Sequence, residues 1–189
     1  MKTKILVLAS IILMSGSVMF AQKVEVNTTK SSVEWLGKKI GRNHEGNIQL
    51  KSGYFELQDD KIVAGNFVVD MTTITNTDLE NENYNQKLVG HLKSDDFFGV
   101  EKYPSATFEI TQSSKFSNGK ATLSGNITIK GKMESISFEV ERVGNVYSAK
   151  MDIDRSKFDV RYDSSSFFDN LGDKAINDIF TLNIKLVVN

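Results

Sequence analysis

Residues 121–153 read ATLSGNITIKGKMESISFEVERVGNVYSAKMDI, and this stretch decides the fold class. Apolar side chains recur in it at alternate positions: Leu123, Ile127 and Ile129, then Ile136, Phe138 and Val140, then Tyr147, Ala149, Met151 and Ile153. The dipeptides Gly131-Lys132 and Gly144-Asn145 separate the three runs and suit tight hairpin turns. Alternation places successive side chains on opposite faces of a strand, so the stretch predicts antiparallel strands with one apolar face.

The same alternation continues on both sides of this stretch. It occurs at Val33 and Trp35, at Phe67, Val69 and Met71, at Phe108 and Ile110, and at Leu182, Ile184, Leu186 and Val188. An apolar sheet face must be covered and free strand edges are costly, so we expect an all-β chain of roughly eight antiparallel strands closed into a barrel. The pattern leaves open whether side chains fill the interior or one ligand occupies it. The small residues Gly125 and Ala149 on the inward face favour space.

One segment is predicted to be helical. Thr77 and Glu80 have the spacing of a capping box, and Tyr84, Leu88 and Leu92 recur at intervals of four. These features predict a short amphipathic helix from about Asp78 to Leu92, near one end of the barrel.

Composition limits the location and the partners. Residues 1–21 are typical of a signal peptide, with Lys2 and Lys4 ahead of an apolar run, so residues 22–189 are expected to form one periplasmic or secreted domain. There is no cysteine to form a disulfide or anchor a lipid. Without the two leader lysines, 21 of the 23 basic residues remain against 24 acidic ones. This balance disfavours nucleic acid and anionic membrane surfaces as partners, and we expect no stable membrane insertion after leader cleavage.

The block Gly90-His91-Leu92-Lys93-Ser94-Asp95-Asp96-Phe97-Phe98, followed by Tyr103-Pro104, resembles the signature of the YceI-like family. The resemblance extends over the chain after the leader, at residues 32–35, 44–53, 65–71, 123–131, 153–158 and 176–180. It departs from the family pattern at Asn126-Ile127 and Met133-Glu134. It implies an exported lipocalin-like β-barrel that holds a polyisoprenoid or another long-chain lipid and has no other cofactor. Carriage or storage of a lipid is therefore expected rather than catalysis.

Two groups of candidate ligand-binding residues follow. The barrel lining is predicted to include Trp35, Phe67, Val69, Phe108, Ile127, Ile129, Phe138 and Ile153. The lid and rim are predicted to include His91, Leu92, Lys93, Phe97, Phe98 and Arg155. Gly90 and Gly99 provide bends around the two phenylalanines, which either form a lid or pack as a core plug. Arg155, with His91 and Lys93, either meets a polar head group or pairs with an acid on the exterior.

Other functions have weaker support. His91, Ser94 and Asp95 or Asp96 are the residue types of a catalytic triad, but they crowd into one short segment without a nucleophile turn. A metal site at His44 and His91 lacks ligand spacing even with Glu45. We therefore expect neither an enzyme nor a metalloprotein. The alternative to a lipid carrier is a structural or envelope-stress interaction protein with a filled barrel; ligand identity, delivery partner and monomer or homodimer state stay open.

Overall fold

The computed structural model describes residues 21–189, so the predicted leader lies outside the described residues apart from Ala21. Within this range there are nine strands and one α-helix. The strands are β1 (Gln22–Glu25), β2 (Ser32–Lys39), β3 (Arg42–Gln58), β4 (Lys61–Asp70), β5 (Ser105–Ser113), β6 (Lys120–Ile129), β7 (Lys132–Val143), β8 (Val146–Asp154) and β9 (Ile179–Val187). Helix α1 spans Glu82–Lys93. None of the helices in residues 21–189 has the length and apolar character to cross a membrane.

The strands close into an antiparallel barrel. Each strand pairs with its neighbour from β2 to β9, β9 pairs back to β2, and β3 joins β4. Residues 54–57 of β3 pair with β4 on one edge and with β1 on the other edge. Nearer the start of β3, β2 pairs along that same second edge. Because β1 and β2 follow one another on a single edge, nine strands make an eight-stranded barrel. The predicted fold class is confirmed.

Tight turns join most of these strands. Asp59 and Asp60 both have positive φ, as do Asn118 and Gly119, which matches the type I′ geometry that suits hairpins. The third turn was predicted at Gly131-Lys132 but lies one residue earlier, since Lys130 and Gly131 have φ of 51° and 72°. Glycine and asparagine supply this conformation at little cost, so the turn residues position the strand ends.

The ladder between β7 and β8 is short. Four residue pairs join these strands, from Val140 opposite Ala149 to Val143 opposite Val146. Residues 132–139 of β7 pair with β6 alone within the described chain. The wall between β7 and β8 therefore lacks a ladder over the part of β7 that follows the turn at residues 130–131.

Helix α1 connects β4 to β5 across one end of the barrel, which we call the helix end. It begins later than predicted, because Asn81 is the N-cap and its side chain accepts a hydrogen bond from the Tyr84 amide at 3.2 Å. The predicted stripe is only partly correct: Leu88 and Leu92 pack on the core, whereas Tyr84 is exposed. The helix ends at Lys93, one residue from the predicted end.

Candidate functional site

The interior contains a cavity between two clusters of buried side chains. One cluster lies toward the helix end and includes Ile127, Ile129 and Ile153; the other lies toward the opposite end and includes Phe55 and Tyr147. Val69, Phe108 and Phe138 are only partly buried and pack against both clusters. The cavity that these side chains leave has a volume of about 200 Å³. An apolar cavity of about 150 Å³ is enough to hold a benzene-sized molecule, so there is room here for part of a hydrocarbon chain.

Glycine residues on the wall explain why the aromatic side chains do not fill this space. Gly53 lies directly opposite Phe67, and a Cβ built on it would lie 2.7 Å from Cδ1 of Phe67. A Cβ on Gly125 would lie 2.4 Å from Cζ of Phe108. Each ring therefore occupies the place of the missing side chain and lies along the wall. The expectation that Gly125 itself creates space was wrong, because the Phe108 ring covers it; the space lies further toward the barrel centre.

Seven of the eight residues predicted to form the barrel lining do line the cavity: Trp35, Phe67, Val69, Phe108, Ile127, Ile129 and Phe138. Ile153 does not. Its side chain is inside the barrel and 1% exposed, but it packs in the helix-end cluster with Phe158 and Val160. These two residues follow β8 directly, so the chain itself fills the interior beside Ile153.

Sequence reasoning missed several other lining residues. Leu182, Ile184 and Leu186 line the cavity as part of the alternation in β9, and Phe180 extends that alternation by one position. Ile74 and Ile176 line it from connecting segments outside the strands, where no periodic pattern marks a residue as inward. Thr107, Ser148, Asn177 and Arg155 are the polar members of the lining, so the cavity surface is almost wholly apolar.

Aromatic contacts close the end opposite the helix. The rings of Phe55 and Tyr147 meet edge to face at 4.8 Å between centroids, and Phe116 lies 6.0 Å from Tyr147. Phe55 is 1% exposed. This end is therefore sealed by a packed aromatic cluster beneath the hairpin turns.

Phe97 and Phe98 close the helix end. Both line the cavity, both are buried, and their rings meet edge to face at 5.0 Å. Phe98 continues the contact to Phe180, 6.3 Å away. The backbone that holds them is a compact turn in which the amides of Phe98 and Val100 donate to the carbonyls of Leu92 and Lys93. The two rings thus pack as part of the core at the mouth of the cavity, where the lid was predicted; gating by them stays a prediction.

Of the other predicted lid and rim residues, Leu92 lines the cavity and His91 and Lys93 do not. The His91 ring packs between Phe97, at 5.8 Å, and Tyr162, at 4.3 Å. Consecutive helical residues point in different directions, so only Leu92 of these three faces the barrel interior. Because Tyr162 belongs to the segment after β8, His91 connects the helix to that segment, and a contact of His91 with a ligand stays a prediction.

Arg155 is buried instead of exposed at the rim, and it pairs with an acid, Asp178, inside the protein instead of on the exterior. Its side chain is 2% exposed. The guanidinium donates hydrogen bonds to four backbone carbonyls, those of Val160 at 3.1 Å, Tyr162 at 2.8 Å, Ile176 at 3.0 Å and Asn177 at 3.2 Å. A planar group with five donors can satisfy this many carbonyls at once.

The charge of Arg155 is compensated within the protein. Burial lowers the pKa of Arg155, and the carboxylates of Asp178, Asp163 and Asp154 oppose that effect. Oδ1 of Asp178 lies 3.2 Å from Nη2, close enough for an ion pair although not aligned as a hydrogen bond. Arg155 therefore fastens residues 160–178 across the helix end. Arg155 also lines the cavity, and its contact with a polar head group stays a prediction.

The residues considered for catalysis or metal binding have structural contacts. The Ser94 hydroxyl donates to the His91 carbonyl at 2.7 Å, not to the His91 ring. Nδ1 of His44 lies 2.8 Å from Asp78. Burial disfavours the charged form of Asp78, but hydrogen bonds from the Glu45 amide, His44 and Asn76 outweigh it and hold the pKa of Asp78 below its usual value. Among residues 21–189, no three His, Cys, Asp or Glu side chains are grouped as metal ligands would be.

A family model described as the YceI-like domain matches residues 24–188, which is every strand but the first residues of β1. The chain belongs to the YceI-like family. A UPF0312 protein of Vibrio parahaemolyticus is 31% identical over 124 residues, covering 64% of this chain and 62% of that protein. A UPF0312 protein of Pseudomonas aeruginosa is 28% identical over 141 residues, covering 74% and 71%. The matched part thus spans less than two thirds of the Vibrio relative.

Solved structures show the same fold as this YceI-like chain. BcnA of Burkholderia cenocepacia has a TM-score of 0.64 at 23% identity, covering 87% of this chain and 99% of that one. A polyisoprenoid-binding domain from Saccharophagus degradans has a TM-score of 0.59 at 11% identity, covering 88% and 97%. A Campylobacter jejuni YceI protein has a TM-score of 0.54 at 20% identity and matches 100% of this chain and 99% of its own.

Proposed function

We propose that this protein sequesters or carries one long-chain apolar lipid, of polyisoprenoid, quinone or fatty amide type, inside the barrel. The observation that carries the proposal is the apolar cavity of about 200 Å³ within a closed barrel. A filled interior would be expected of a purely structural barrel, so the cavity favours a carrier over that alternative. The name of the Saccharophagus domain, a polyisoprenoid-binding domain with the same fold, adds support.

The chemistry of the lining determines the class of ligand. Apolar side chains dominate it, and the one charged residue, Arg155, is already satisfied by backbone carbonyls. Each methylene moved from water into such a site gains about 0.8 kcal/mol, so six of them supply about 5 kcal/mol before the costs of association. A hydrocarbon chain gains this energy, whereas a charged group inside the cavity would lose its hydration without a partner.

The proposal includes binding without covalent chemistry, and export. The Ser94 hydroxyl is engaged with a backbone carbonyl, which supports the view that it is not a nucleophile. The signal-peptide pattern of residues 1–21 supports a periplasmic or secreted location. In that location an apolar lipid needs a protein to shield it from water during transfer.

The test uses Trp35, the single tryptophan of the chain, which lines the cavity. A fluorescent polyene fatty acid bound inside the barrel should receive energy from Trp35. Ala149→Leu, which projects a larger side chain into the cavity, should weaken probe binding about tenfold or more, whereas Lys150→Leu on the outer face should not. Circular dichroism controls for folding. Absence of transfer in the unaltered chain, or equal effects of the two substitutions, would contradict the proposal.

Native mass spectrometry of the protein purified from its own host gives an independent answer. A carrier should retain an apolar molecule in a stoichiometric amount, and the mass of that molecule would identify it. The same measurement distinguishes a monomer from a homodimer.

A further inference from the structure

The two ends of the barrel carry different surfaces. At the end opposite the helix, the turns are polar: Asp59-Asp60, Asn118-Gly119 and Gly144-Asn145. At the helix end lie the hairpin turns at residues 40–41 and 130–131, the segment with α1, and residues 155–178. Asn177 donates to the Lys38 carbonyl, and Lys130 donates to the carbonyls of Asp95 and Asp159. These contacts join the parts of the helix end into one continuous surface.

Exposed apolar side chains are concentrated on this surface. Of the eight large apolar side chains exposed within residues 21–189, seven lie at the helix end and only Val143 lies at the opposite end. The two hairpin turns present Ile40 and Met133, exposed by 64% and 62%. Phe167, Phe168 and Tyr162 are exposed on the segment after β8. Single exposed apolar residues are ordinary, but their concentration at one end of a monomer marks an interaction surface.

Basic residues flank the apolar hairpin tips. Ile40 lies among Lys38, Lys39 and Arg42, and Met133 follows Lys132. Lys38, Arg42 and Lys132 are exposed and have no ion-pair partner in the described chain. Arg161 stacks on Phe167, 5.0 Å from the ring centroid. Apolar tips beside long cationic side chains are suited to a lipid surface, because the tip enters the acyl region while the cation stays among the head groups.

Acidic residues are also present at this end. Acids lie on the segment after β8, at both ends of the helix and beside Met133: Asp159, Asp163, Asp169, Asp173, Glu80, Glu82, Asp95, Asp96 and Glu134. Electrostatic attraction is therefore local to the hairpin that carries Ile40, because Glu134 and Asp159 offset the basic residues of the hairpin that carries Met133. The net charge of the mature chain, which disfavours an anionic surface, averages over both ends and hides this local arrangement.

We propose that the helix end docks on the surface of a lipid bilayer that contains anionic lipid, with Ile40 and Met133 inserted and the neighbouring basic residues at the head groups. Cationic side chains directly beside exposed apolar tips favour a bilayer over a second copy of the chain, because a bilayer accepts the two kinds of group at different depths. Docking in this orientation places the mouth closed by Phe97 and Phe98 toward the membrane. Docking on a membrane is a property additional to cargo binding and does not depend on cargo binding.

The test is flotation of the chain from Gln22 onward, which contains every strand of the barrel, with vesicles. The vesicles are phosphatidylcholine alone or with one third phosphatidylglycerol. Ile40→Ser and Met133→Ser should each weaken binding about threefold, and the double variant about tenfold. Val143→Ser, which removes a 69% exposed side chain from the opposite end, is the matched control and should bind as the unaltered chain does.

A second set of variants separates electrostatic attraction to the lipid head groups from insertion of the apolar side chains. Lys38→Glu with Arg42→Glu should weaken binding to the anionic vesicles at least tenfold, because each basic residue near such a surface contributes about fivefold. Lys61→Glu with Lys115→Glu reverses two lysines at the opposite end and should have no comparable effect. The cavity-filling variant Ala149→Leu should still dock, so loss of cargo binding and loss of docking are distinguishable.

Three results would overturn the proposal. One is that the unaltered chain floats with neither vesicle type. Another is that the opposite-end variants lose binding as much as the helix-end variants do. The third is a dimer in analytical ultracentrifugation that Ile40→Ser converts to a monomer, because a second copy would then cover the surface.

Discussion

Replacement of Arg155 by methionine is the perturbation that most directly tests how the helix end is held together. The substitution keeps the length of the apolar stem and removes the guanidinium. Four backbone carbonyls then lose their donor, and Asp178 is left without its cation. Removing one partner of a buried ion pair costs about 3–5 kcal/mol, because the remaining charge and polar groups stay desolvated. We therefore expect Arg155→Met to lower the free energy of unfolding by about 4 kcal/mol.

Arg142 supplies a matched control on the outside of the same barrel. It pairs with Asp60 at 2.9 Å, but the Asp60 side chain is 65% exposed. Such a pair contributes about 1 kcal/mol or less, so Arg142→Gln should have a small effect. Arg155→Lys should fall between the two, because an ammonium group has three donors and lacks the planar fork that reaches the carbonyls of Val160, Tyr162 and Ile176.

Urea unfolding, followed by Trp35 fluorescence and far-ultraviolet circular dichroism, measures these differences. With a denaturant slope of about 2 kcal/mol per molar, Arg155→Met should lower the urea midpoint by about 2 M. Limited proteolysis should cut residues 160–178 first, since they lose their anchor. The reasoning is refuted if Arg155→Met and Arg142→Gln shift the midpoint equally. A variant that keeps its stability but loses the polyene probe would instead assign Arg155 to the ligand.

Three further predictions concern the wall and the helix. Gly53→Ala should destabilise the fold by about 1–3 kcal/mol in thermal unfolding, because the added methyl group clashes with the Phe67 ring. Adding Phe67→Leu to the same chain should restore most of the lost stability, and no recovery would contradict the contact between Gly53 and the Phe67 ring. Because folding lowers the pKa of Asp78, the ionised carboxylate stabilises the fold above the unfolded pKa of about 3.9, and this stabilisation is lost as the pH falls further. Asp78→Asn should therefore be less stable than the unaltered chain at pH 7, and a difference in urea midpoint that persists undiminished at pH 3 would be inconsistent with this. Asn81→Ala should cost about 1 kcal/mol and Thr77→Ala much less, and equal losses in urea unfolding would argue against the Asn81 cap.

The strands could be predicted from the sequence because one physical property determines them. Alternation along residues 121–153 places one set of side chains inside, and the register of β6 with β7 sets Ala121 opposite Val140 and Leu123 opposite Phe138. The same property located seven of the eight predicted lining residues. It failed at Ile153, since the alternation shows that this side chain faces inward but does not show that Phe158 and Val160 fill the space beside it.

The start of the helix could not be chosen on local pattern, because Thr77 and Asn81 both have side chains that cap helices. Long-range contacts decide between them. The Thr77 amide donates to the Glu45 carbonyl at 2.9 Å, and Asp78 binds His44 and the Glu45 amide. These bonds hold residues 77–78 along β3, so the helix begins only after the chain leaves that strand.

The position of Arg155 is a second feature that local sequence pattern could not predict. The sequence places a cation at the end of an alternating strand, which is compatible with a rim or an exterior position. The carbonyls that it binds belong to residues 160–177, a segment without periodicity. Their convergence on one guanidinium depends on the path of that segment, which no local pattern encodes.

Whether the barrel is hollow depends on which residues of the neighbouring strands lie beside its aromatic side chains. Phe67 and Phe108 point inward, and Gly53 opposite Phe67 and Gly125 diagonal to Phe108 allow each ring to lie along the wall. To recognise these glycine–phenylalanine pairs in a sequence, the strand register must be known without an error of even one residue. The ladders shift between Leu50 and Ser52 and between Ile110 and Gln112, and a one-residue error at either bulge would move the glycine to the opposite face. The capacity of the barrel for a ligand therefore depends on glycines that touch no ligand, as much as on the aromatic residues that line the cavity.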